Sequence, residues 1–395
     1  TFLALNDAEG PYGNLLEQYA PDVLSTINPG FITGTQVNGV NYAVPTQKEL
    51  CVPMGFIYNV AAAEEVGMDP STITSLADFE PYMAKYKELY PDQYPYLTDG
   101  SWGDEPWVAG WASGLNGNLI TQKINADENG VFDETLYSVW ESEENMEHAK
   151  LMYAWAQAGY TNPDSSLSSY TITDEFNAGK FLFVSQPLKG NNIKGMELVN
   201  ASGNPDLVVD EIYGQQKINI TTHSGGSMLA IPITSEDPAT AMKFINLMHS
   251  DTKLLDIMLF GVEVTHWQRA EDGRVDIINA AWNGAHGGAW TLGNTAIQSV
   301  STNEDPEKNK MLAEYSNDAI NHPSLGFRFA QDSVDSQVVA LNNIADGMNR
   351  AILTGATDPT TAIPDYVDQL KAAGLDDVLA ELQSQYDAWK IAKGE

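Results

Sequence analysis

The stretch that decides the fold reads Asn38-Gly39-Val40-Asn41-Tyr42-Ala43-Val44-Pro45 and is followed by Gly55-Phe56-Ile57-Tyr58-Asn59. Asn38-Gly39 is a turn pair between short apolar segments, so we predict a hairpin at this point. The apolar run at 55–59 predicts a buried strand. Along the rest of the chain helical and strand signals alternate, and this alternation favours α/β lobes.

Helical periodicity marks several later segments, and helices are predicted at 76–90, 143–158 and 239–258 and through 326–395. The apolar residues that recur at helical spacing in the first of these are Phe79, Met83, Tyr86 and Leu89. Two apolar faces are predicted in the C-terminal region: Val338, Leu341, Ala345, Met348 and Ile352, stopped by Gly355, and Val378, Leu382, Tyr386 and Trp389. Strands are predicted at 180–184 and 227–231, and Asp272-Gly273 predicts a second hairpin turn.

The composition excludes several classes of protein. The 395 residues suggest two or three domains, and an apolar fraction of 43% is enough for sizeable cores. Acidic residues number 54 against 20 basic ones, which gives a net charge of −34 that repels phosphate backbones and excludes nucleic-acid binding. No apolar run is long enough to span a bilayer. The acidity and the many aromatic residues favour a secreted bacterial protein.

Motifs that would carry catalysis or bind a metal are absent from the sequence. It contains no G-x-S-x-G, H-E-x-x-H or P-loop pattern, and its six histidines are scattered. The segment from Asn125 to Gly130 imitates the start of a calcium loop, but Leu136 stands where a bidentate carboxylate is required, so a surface turn is predicted. The single cysteine, Cys51, is predicted to be a buried and inert thiol. We therefore predict no metal, no cofactor and no enzymatic activity.

Tryptophans in irregular, glycine-rich stretches are the strongest functional signal. Trp102, Trp107 and Trp111 lie in or just after one such stretch, and Trp282 and Trp290 lie in another. Tryptophans in segments of this kind often line grooves, where a flat indole face packs against the C–H face of a pyranose. Packing of each ring beneath a long loop is the open alternative.

The motifs above and several downstream ones resemble the extracellular solute-binding proteins of bacterial ABC importers, family 1, of carbohydrate type. The matching segments, in the family's order, are the 38–45 hairpin, Phe56-Ile57-Tyr58-Asn59, Ser75-Leu76-Ala77-Asp78-Phe79, Phe176-Asn177-Ala178-Gly179-Lys180 and Ala230-Ile231-Pro232. Gly326-Phe327-Arg328-Phe329, the stretch from Leu370 to Trp389 and the hairpin after Gly261 look like the LipO-type lipoprotein branch with its DUF3502 C-terminal region.

This resemblance implies a two-lobed α/β fold of the type II periplasmic-binding-protein kind, with an interlobe cleft and a helical C-terminal region. The first lobe would comprise 1–56 and 227–300, and the second 59–224, with 301–395 packed mainly on the second. The chain would cross between the lobes near 56–59 and 222–227. Family members begin with a β-α-β-α segment that has no counterpart here, so the N-terminal part of the first lobe is expected to be absent from this numbering.

The resemblance also implies the function: capture of an oligosaccharide or other sugar for ABC permease subunits, by a monomer outside the cell or in the periplasm. A removed N-terminal lipid anchor would give peripheral membrane association. The candidate ligand-binding residues are Lys48, Glu49, Trp102, Asp104, Glu105, Trp107, Gln186, His223, Trp282 and Trp290. Two alternatives stay open: a peptide or amino-acid-derivative binder on the same fold, and a secreted glycoside-active enzyme. The first would want an arginine clamp, and arginine is scarce; the second needs two carboxylates about 5–10 Å apart.

Overall fold

The structure is a computed structural model that describes residues 1–48, 51–98, 100, 119–214, 216–224, 226–279, 281–282 and 288–394. The strands are β1 (Gln36–Val37), β2 (Val40–Asn41), β3 (Val44–Pro45), β4 (Met54–Asn59), β5 (Tyr96–Leu97), β6 (Ile120–Thr121), β7 (Tyr137–Ser138), β8 (Phe183–Pro187), β9 (Val209–Tyr213), β10 (Ile218–Asn219), β11 (Met228–Leu229), β12 (Trp267–Arg269), β13 (Val275–Ile277) and β14 (Ile320–Asn321). The α-helices are α1 (Leu15–Tyr19), α2 (Pro21–Thr26), α3 (Pro29–Gly34), α4 (Val60–Val66), α5 (Glu80–Leu89), α6 (Glu143–Gln157), α7 (Thr173–Asn177), α8 (Ile193–Ser202), α9 (Thr221–Ser224), α10 (Pro238–Ser250), α11 (Thr252–Phe260), α12 (Lys308–Asn317), α13 (Asp335–Leu353), α14 (Pro359–Ala372) and α15 (Leu375–Lys393).

The chain forms two units, each built from separate stretches of sequence. The first unit comprises Thr1–Val52 and Lys217–Ala330, and the second comprises Pro53–Gln216 and Gln331–Glu395. The chain therefore passes from one unit to the other at three points in the sequence. Two of these lie a few residues before the crossings predicted at 56–59 and 222–227, and the third was not predicted.

Strand pairing explains where the boundaries fall. Strand β4 is hydrogen-bonded to β8 on one side and to β9 on the other, with Phe56 opposite both Ser185 and Ile212, so the whole of 54–59 belongs to the second unit. Residues 301–330, which were predicted to belong to a helical C-terminal region packed mainly on the second lobe, belong instead to the first unit. They are tied there by the parallel pairing of β10 with β14.

The second unit is built on a four-stranded sheet in the order β5-β8-β4-β9. The predicted strand at 55–59 is confirmed, and its side chains are buried because elements cover both faces of the sheet. Aromatic rings fill one side of this core. Phe183 stacks on Phe79 with ring centroids 3.8 Å apart and on Tyr96 at 4.5 Å, and Trp155 meets Tyr96 edge-on.

Three C-terminal helices complete the second unit. The predicted inner face of α13 is buried at Val338, Leu341, Ala345 and Ile352, and the helix stops just before Gly355, whose φ is +72°. Helix α14 packs on α6 and α13. On α15, the Tyr386 hydroxyl and the Lys390 ammonium both donate to the Glu134 carboxylate, which ties the last helix to the β6–β7 region.

The first unit carries helices and short strand pairs. Its strands, in the described residues, pair only two by two: β1 with β2, β3 with β11, β10 with β14 and β12 with β13. The predicted hairpin at Asn38-Gly39 is confirmed, since both residues have positive φ and Val37 lies opposite Val40. Its main core gathers buried side chains of α1, α2, α3 and α10 around Leu16, Phe31 and Met242.

Three local predictions need correction. Residues 239–258 form two helices rather than one, because Asp251 has an extended backbone and its carboxylate accepts hydrogen bonds from the amides of Lys253 and Leu254, which caps α11. Leu89, expected to face inward, is 49% exposed at the end of α5. The strand predicted at 227–231 is reduced to the two residues of β11, and Met228 is 39% exposed, so only part of the predicted segment lies in the core.

Two buried histidines make the fold sensitive to acid. Burial lowers the pKa of His148 in α6 and of His249 in α10 from 6.5 to about 4. Between these values the unfolded chain binds protons that the folded chain excludes. These two histidines should therefore lower the free energy of unfolding as pH falls from about 6.5 to 4, at up to about 1.4 kcal/mol per pH unit for each histidine.

Urea unfolding across this pH range measures the effect against His249→Leu. Neither ring nitrogen of His249 has a hydrogen-bond partner among the described residues, so leucine removes the proton-binding group without breaking a hydrogen bond. The free energy of unfolding of the variant should rise relative to that of the native protein as pH falls below 6.5, because only the native protein excludes a proton at His249. A difference that stays constant down to pH 4 would contradict the assignment.

Candidate functional site

Lys48 of the first unit lies on a segment held from two sides. The Thr46 amide donates to the Ser227 carbonyl at 3.2 Å, and the Gln47 amide donates to the Gly293 carbonyl at 2.9 Å. The segment after β3 therefore lies against both the start of β11 and the 288–295 loop. A methyl group added to Gly226 would lie 2.6 Å from Nζ of Lys48 and 3.9 Å from the His223 carbonyl oxygen. The end of α9 and Lys48 are thus neighbours.

The loop that carries Trp290 is fixed to the same place. The hydroxyl of Thr46 donates to the Trp290 carbonyl at 2.7 Å, and the hydroxyl of Ser227 donates to the Thr291 carbonyl at 2.7 Å. Trp290 itself is half-buried. Gly293 lets the loop approach closely, since a methyl group there would lie 2.6 Å from the Met248 carbonyl oxygen. The fold thus brings Lys48, His223 and Trp290 into one region of the first unit.

Polar side chains lie at one edge of the sheet in the second unit. Strands β5 and β8 are parallel, and β4 is antiparallel to both β8 and β9, so the carboxyl ends of β5, β8 and β9 meet at the same edge. Gln186 lies at this edge in β8, Thr98 follows β5 and Tyr213 ends β9. Crevices outside the carboxyl ends of strands are common ligand sites in α/β proteins. Gln186 is a candidate ligand-binding residue predicted from the sequence, and Thr98 and Tyr213 are further candidates that had no sequence signal.

A carboxyl group lies next to this edge. The Tyr213 hydroxyl donates to Oε2 of Glu211 at 2.7 Å, and the Asn192 amide donates to the same oxygen at 3.2 Å. Burial raises the pKa of Glu211 above its usual range, and these hydrogen bonds partly offset the shift. Tyr213 is 44% exposed, so its ring is accessible while its hydroxyl is anchored.

Trp282 occupies a different setting from Trp290. It lies against Gly261 and the imidazole of His266, beside the β12–β13 hairpin, and is 41% exposed. Half of the predicted site residues cannot be placed in this way. Glu49, Trp102, Asp104, Glu105 and Trp107 lie outside the described residues.

The described residues offer neither a reactive thiol nor a metal cluster. Burial raises the pKa of Cys51 to about 12, so the thiol is protonated at neutral pH and is not a nucleophile. Within 1–48, 51–98 and the later described ranges, no group of three or more His, Cys, Asp or Glu side chains could hold a metal ion. In the segment that imitates a calcium loop, Asp127 accepts from the amides of Asn129 and Val131 and forms a turn, as predicted.

The described helices include none that combines the length and apolar character needed to cross a membrane.

Comparisons with known proteins agree with the sequence resemblance. Residues 5–260 match the model of the family described as bacterial extracellular solute-binding protein, and residues 323–391 match a domain of unknown function, DUF3502. A carbohydrate ABC transporter substrate-binding protein of Streptococcus pneumoniae serotype 4 is 29% identical, over 97% of this chain and 77% of its own length.

Solved structures show the same fold. The N-glycan transport solute-binding protein NgtS of Streptococcus pneumoniae matches with a TM-score of 0.80 and 24% identity, over 98% of this chain and 82% of NgtS. Its complex with Man5GlcNAc matches with a TM-score of 0.76 and 23% identity, with the same coverage. The predicted α/β fold of the type II solute-binding kind is therefore confirmed.

Proposed function

Since this chain belongs to the bacterial extracellular solute-binding proteins, we propose that it is the substrate-binding component of an ABC importer and that its ligand is an oligosaccharide. The family match over residues 5–260 carries the first part of this proposal. The similarity to a carbohydrate transporter component and to a protein crystallised with Man5GlcNAc supports the second.

Trp290 and Lys48 are the proposed centre of sugar contact in the first unit. A half-buried indole on a hydrogen-bonded loop offers a fixed apolar face, and the nearby ammonium and imidazole groups can bond hydroxyls. Gln186 is the proposed contact in the second unit, with Thr98 and Tyr213 beside it. Glu49, Trp102, Asp104, Glu105 and Trp107 stay predictions from the sequence, as does a ligand position between the lobes.

The protein is proposed to act without enzymatic activity, as a monomer that delivers its ligand to permease subunits. It would work outside the cell or in the periplasm, held at the membrane by a lipid anchor where one is present in the full-length protein. Native mass spectrometry of the purified protein measures its oligomeric state. Fractionation of cells that express the complete gene measures its location. A stable oligomer, or protein confined to the cytosol, would contradict them.

Titration calorimetry against a glycan panel tests the proposed function. Oligosaccharides should give heat of binding, and Trp290→Ala should weaken binding about tenfold or more, because a tryptophan at the centre of a binding site typically contributes about 2 kcal/mol or more and about 1.4 kcal/mol is tenfold. Trp389→Ala is the matched control, since Trp389 lies on α15 in the second unit, stacked on Tyr386, and should leave affinity unchanged.

The other outcomes separate the alternatives. Heat from peptides and none from any sugar would replace the proposal with a peptide binder. Release of reducing ends from a glycan during incubation would indicate a glycoside-active enzyme. Equal loss of affinity in Trp290→Ala and Trp389→Ala would remove Trp290 from the site while leaving the sugar ligand in place.

A further inference from the structure

Gly261 forms the floor beneath two rings of the first unit. Helix α11 ends at this residue, which has φ +81° and ψ −151°, a backbone conformation that is essentially restricted to glycine. A methyl group added here would lie 2.6 Å from Nδ1 of His266 and 2.8 Å from Cγ of Trp282. The indole and the imidazole therefore rest directly on the glycine backbone, with no side chain between.

The turn that carries His266 is anchored and strained. The buried indole of Trp267 donates to the Gly261 carbonyl at 2.9 Å. Val264 has φ +68°, which is an outlier for a β-branched residue, and its side chain is 80% exposed. Backbone strain of this kind persists only where the surrounding contacts enforce it, and such positions cluster at ligand sites.

The hydrogen bond to His266 fixes which nitrogen carries the proton. The Val262 amide donates to Nδ1 at 2.9 Å. Because a backbone amide only donates, Nδ1 is an acceptor, and the neutral ring carries its proton on Nε2. No described residue accepts a hydrogen bond from Nε2 of His266 or from Nε1 of Trp282. Each ring thus holds one donor that a ligand can use.

The two rings form a small preformed platform. Their centroids are 5.6 Å apart, their planes are inclined by 38°, and Trp282 keeps 41% of its surface exposed. A flat aromatic surface with one oriented donor beside it matches a pyranose, which has an apolar C–H face and hydroxyls around its edge.

We propose that Trp282 and His266 form a sugar-stacking subsite in which a neutral pyranose packs on the indole and one of its hydroxyls accepts from Nε2 of His266. This inference rests on the proposed function. It adds His266 to the proposed binding residues. It also places Trp282 in a subsite that is formed on the backbone of Gly261 and does not share the contacts of the Trp290 loop. The subsite serves the glycans that are long enough to reach it.

Titration calorimetry with neutral glycans of increasing length tests the subsite on Trp282→Ala, Trp282→Phe and His266→Phe. Trp282→Ala should weaken binding about tenfold or more for the longer glycans and leave the shortest one unchanged. Trp282→Phe keeps a ring and should lose less than about threefold. His266→Phe keeps a ring but removes both the Nε2 donor and the Nδ1 acceptor of the Val262 amide, and it should lose affinity for the same longer glycans.

The controls separate this inference from the proposed function. Trp282 is partly exposed, so both Trp282 variants should unfold at the native temperature. Trp389→Ala should bind as the native protein does. If the native protein binds glycans and Trp282→Ala binds each of them equally well, the subsite is overturned and the proposed function stands. If the native protein binds no glycan, both proposals are overturned.

Discussion

Phe183→Ala should lower the free energy of unfolding of the second unit by about 3–5 kcal/mol. Phe183 is fully buried in β8, and its ring stacks on Phe79 and Tyr96 with centroids 3.8 and 4.5 Å away and meets Phe56 edge-on. Truncation removes buried apolar surface, leaves a cavity in a packed aromatic cluster and breaks two stacked pairs at once. Three sheet strands and the turn before α5 contribute rings to this cluster, so the gap cannot close by moving one side chain.

Urea unfolding followed by near-ultraviolet circular dichroism measures this loss. Phe244→Ala is the matched control, because Phe244 is 45% exposed on α10 of the first unit and its truncation should cost under about 1 kcal/mol. A loss at Phe183 no larger than that at Phe244 would contradict the central place given to this ring.

The sequence predicted the elements whose signals are local. The run from Gly55 to Tyr58 carries no charge because cores cover both faces of the sheet at β4, and the Asn38-Gly39 pair supplies the positive φ values that its turn requires. The faces of α13 and α15 also follow from spacing, with Leu341 and Leu382 fully buried. Each of these features depends on residues within a few positions of one another.

Features set by long-range pairing could not be read in the same way. The crossing at 52/53 depends on which strands flank β4, and residues 301–330 join the first unit through the pairing of Ile218 with Ile320. Thr98 and Tyr213 come to one edge only because β5, β8 and β9 run in the same direction. The break at Asp251 does have a local signal, since aspartate is a preferred N-cap residue.

The candidate site also combines residues that have a signal in the sequence with residues that are recognised only from long-range contacts. Lys48 and His223 were predicted from the resemblance and Trp290 from its glycine-rich setting. The structure brings them into one region, through the hydrogen bonds of Thr46 and Ser227 and the close approach at Gly226. Trp282 was grouped with Trp290 because both lie in one glycine-rich stretch, but it rests on Gly261 instead. His266 had no sequence signal of its own, because the role proposed for it depends on the backbone of Gly261 and on the Val262 amide.

Gly355→Ala should destabilise the second unit by about 2–5 kcal/mol, from two separate causes. Gly355 ends α13 with φ +72°, where a side chain costs about 1–2 kcal/mol. A methyl group there would also lie 2.2 Å from the carbonyl oxygen of Met152 and 2.9 Å from the amide nitrogen of Tyr153, both backbone atoms of α6. Since neither can rotate away, α13 must shift off α6, at a further cost of about 1–3 kcal/mol.

Gly67→Ala carries the first cause alone, so the difference between the two variants measures the second. Gly67 follows α4 with φ +68°, almost the same conformation, and a methyl group there would meet nothing within 4 Å. Urea unfolding should therefore show a loss of about 1–2 kcal/mol at Gly67 and a clearly larger one at Gly355. Equal losses would mean that α13 and α6 do not pack as closely as the structure has them. A larger loss at Gly355 would establish that the C-terminal helices are an integral part of the second unit, since an appended segment could swing aside and absorb the methyl group.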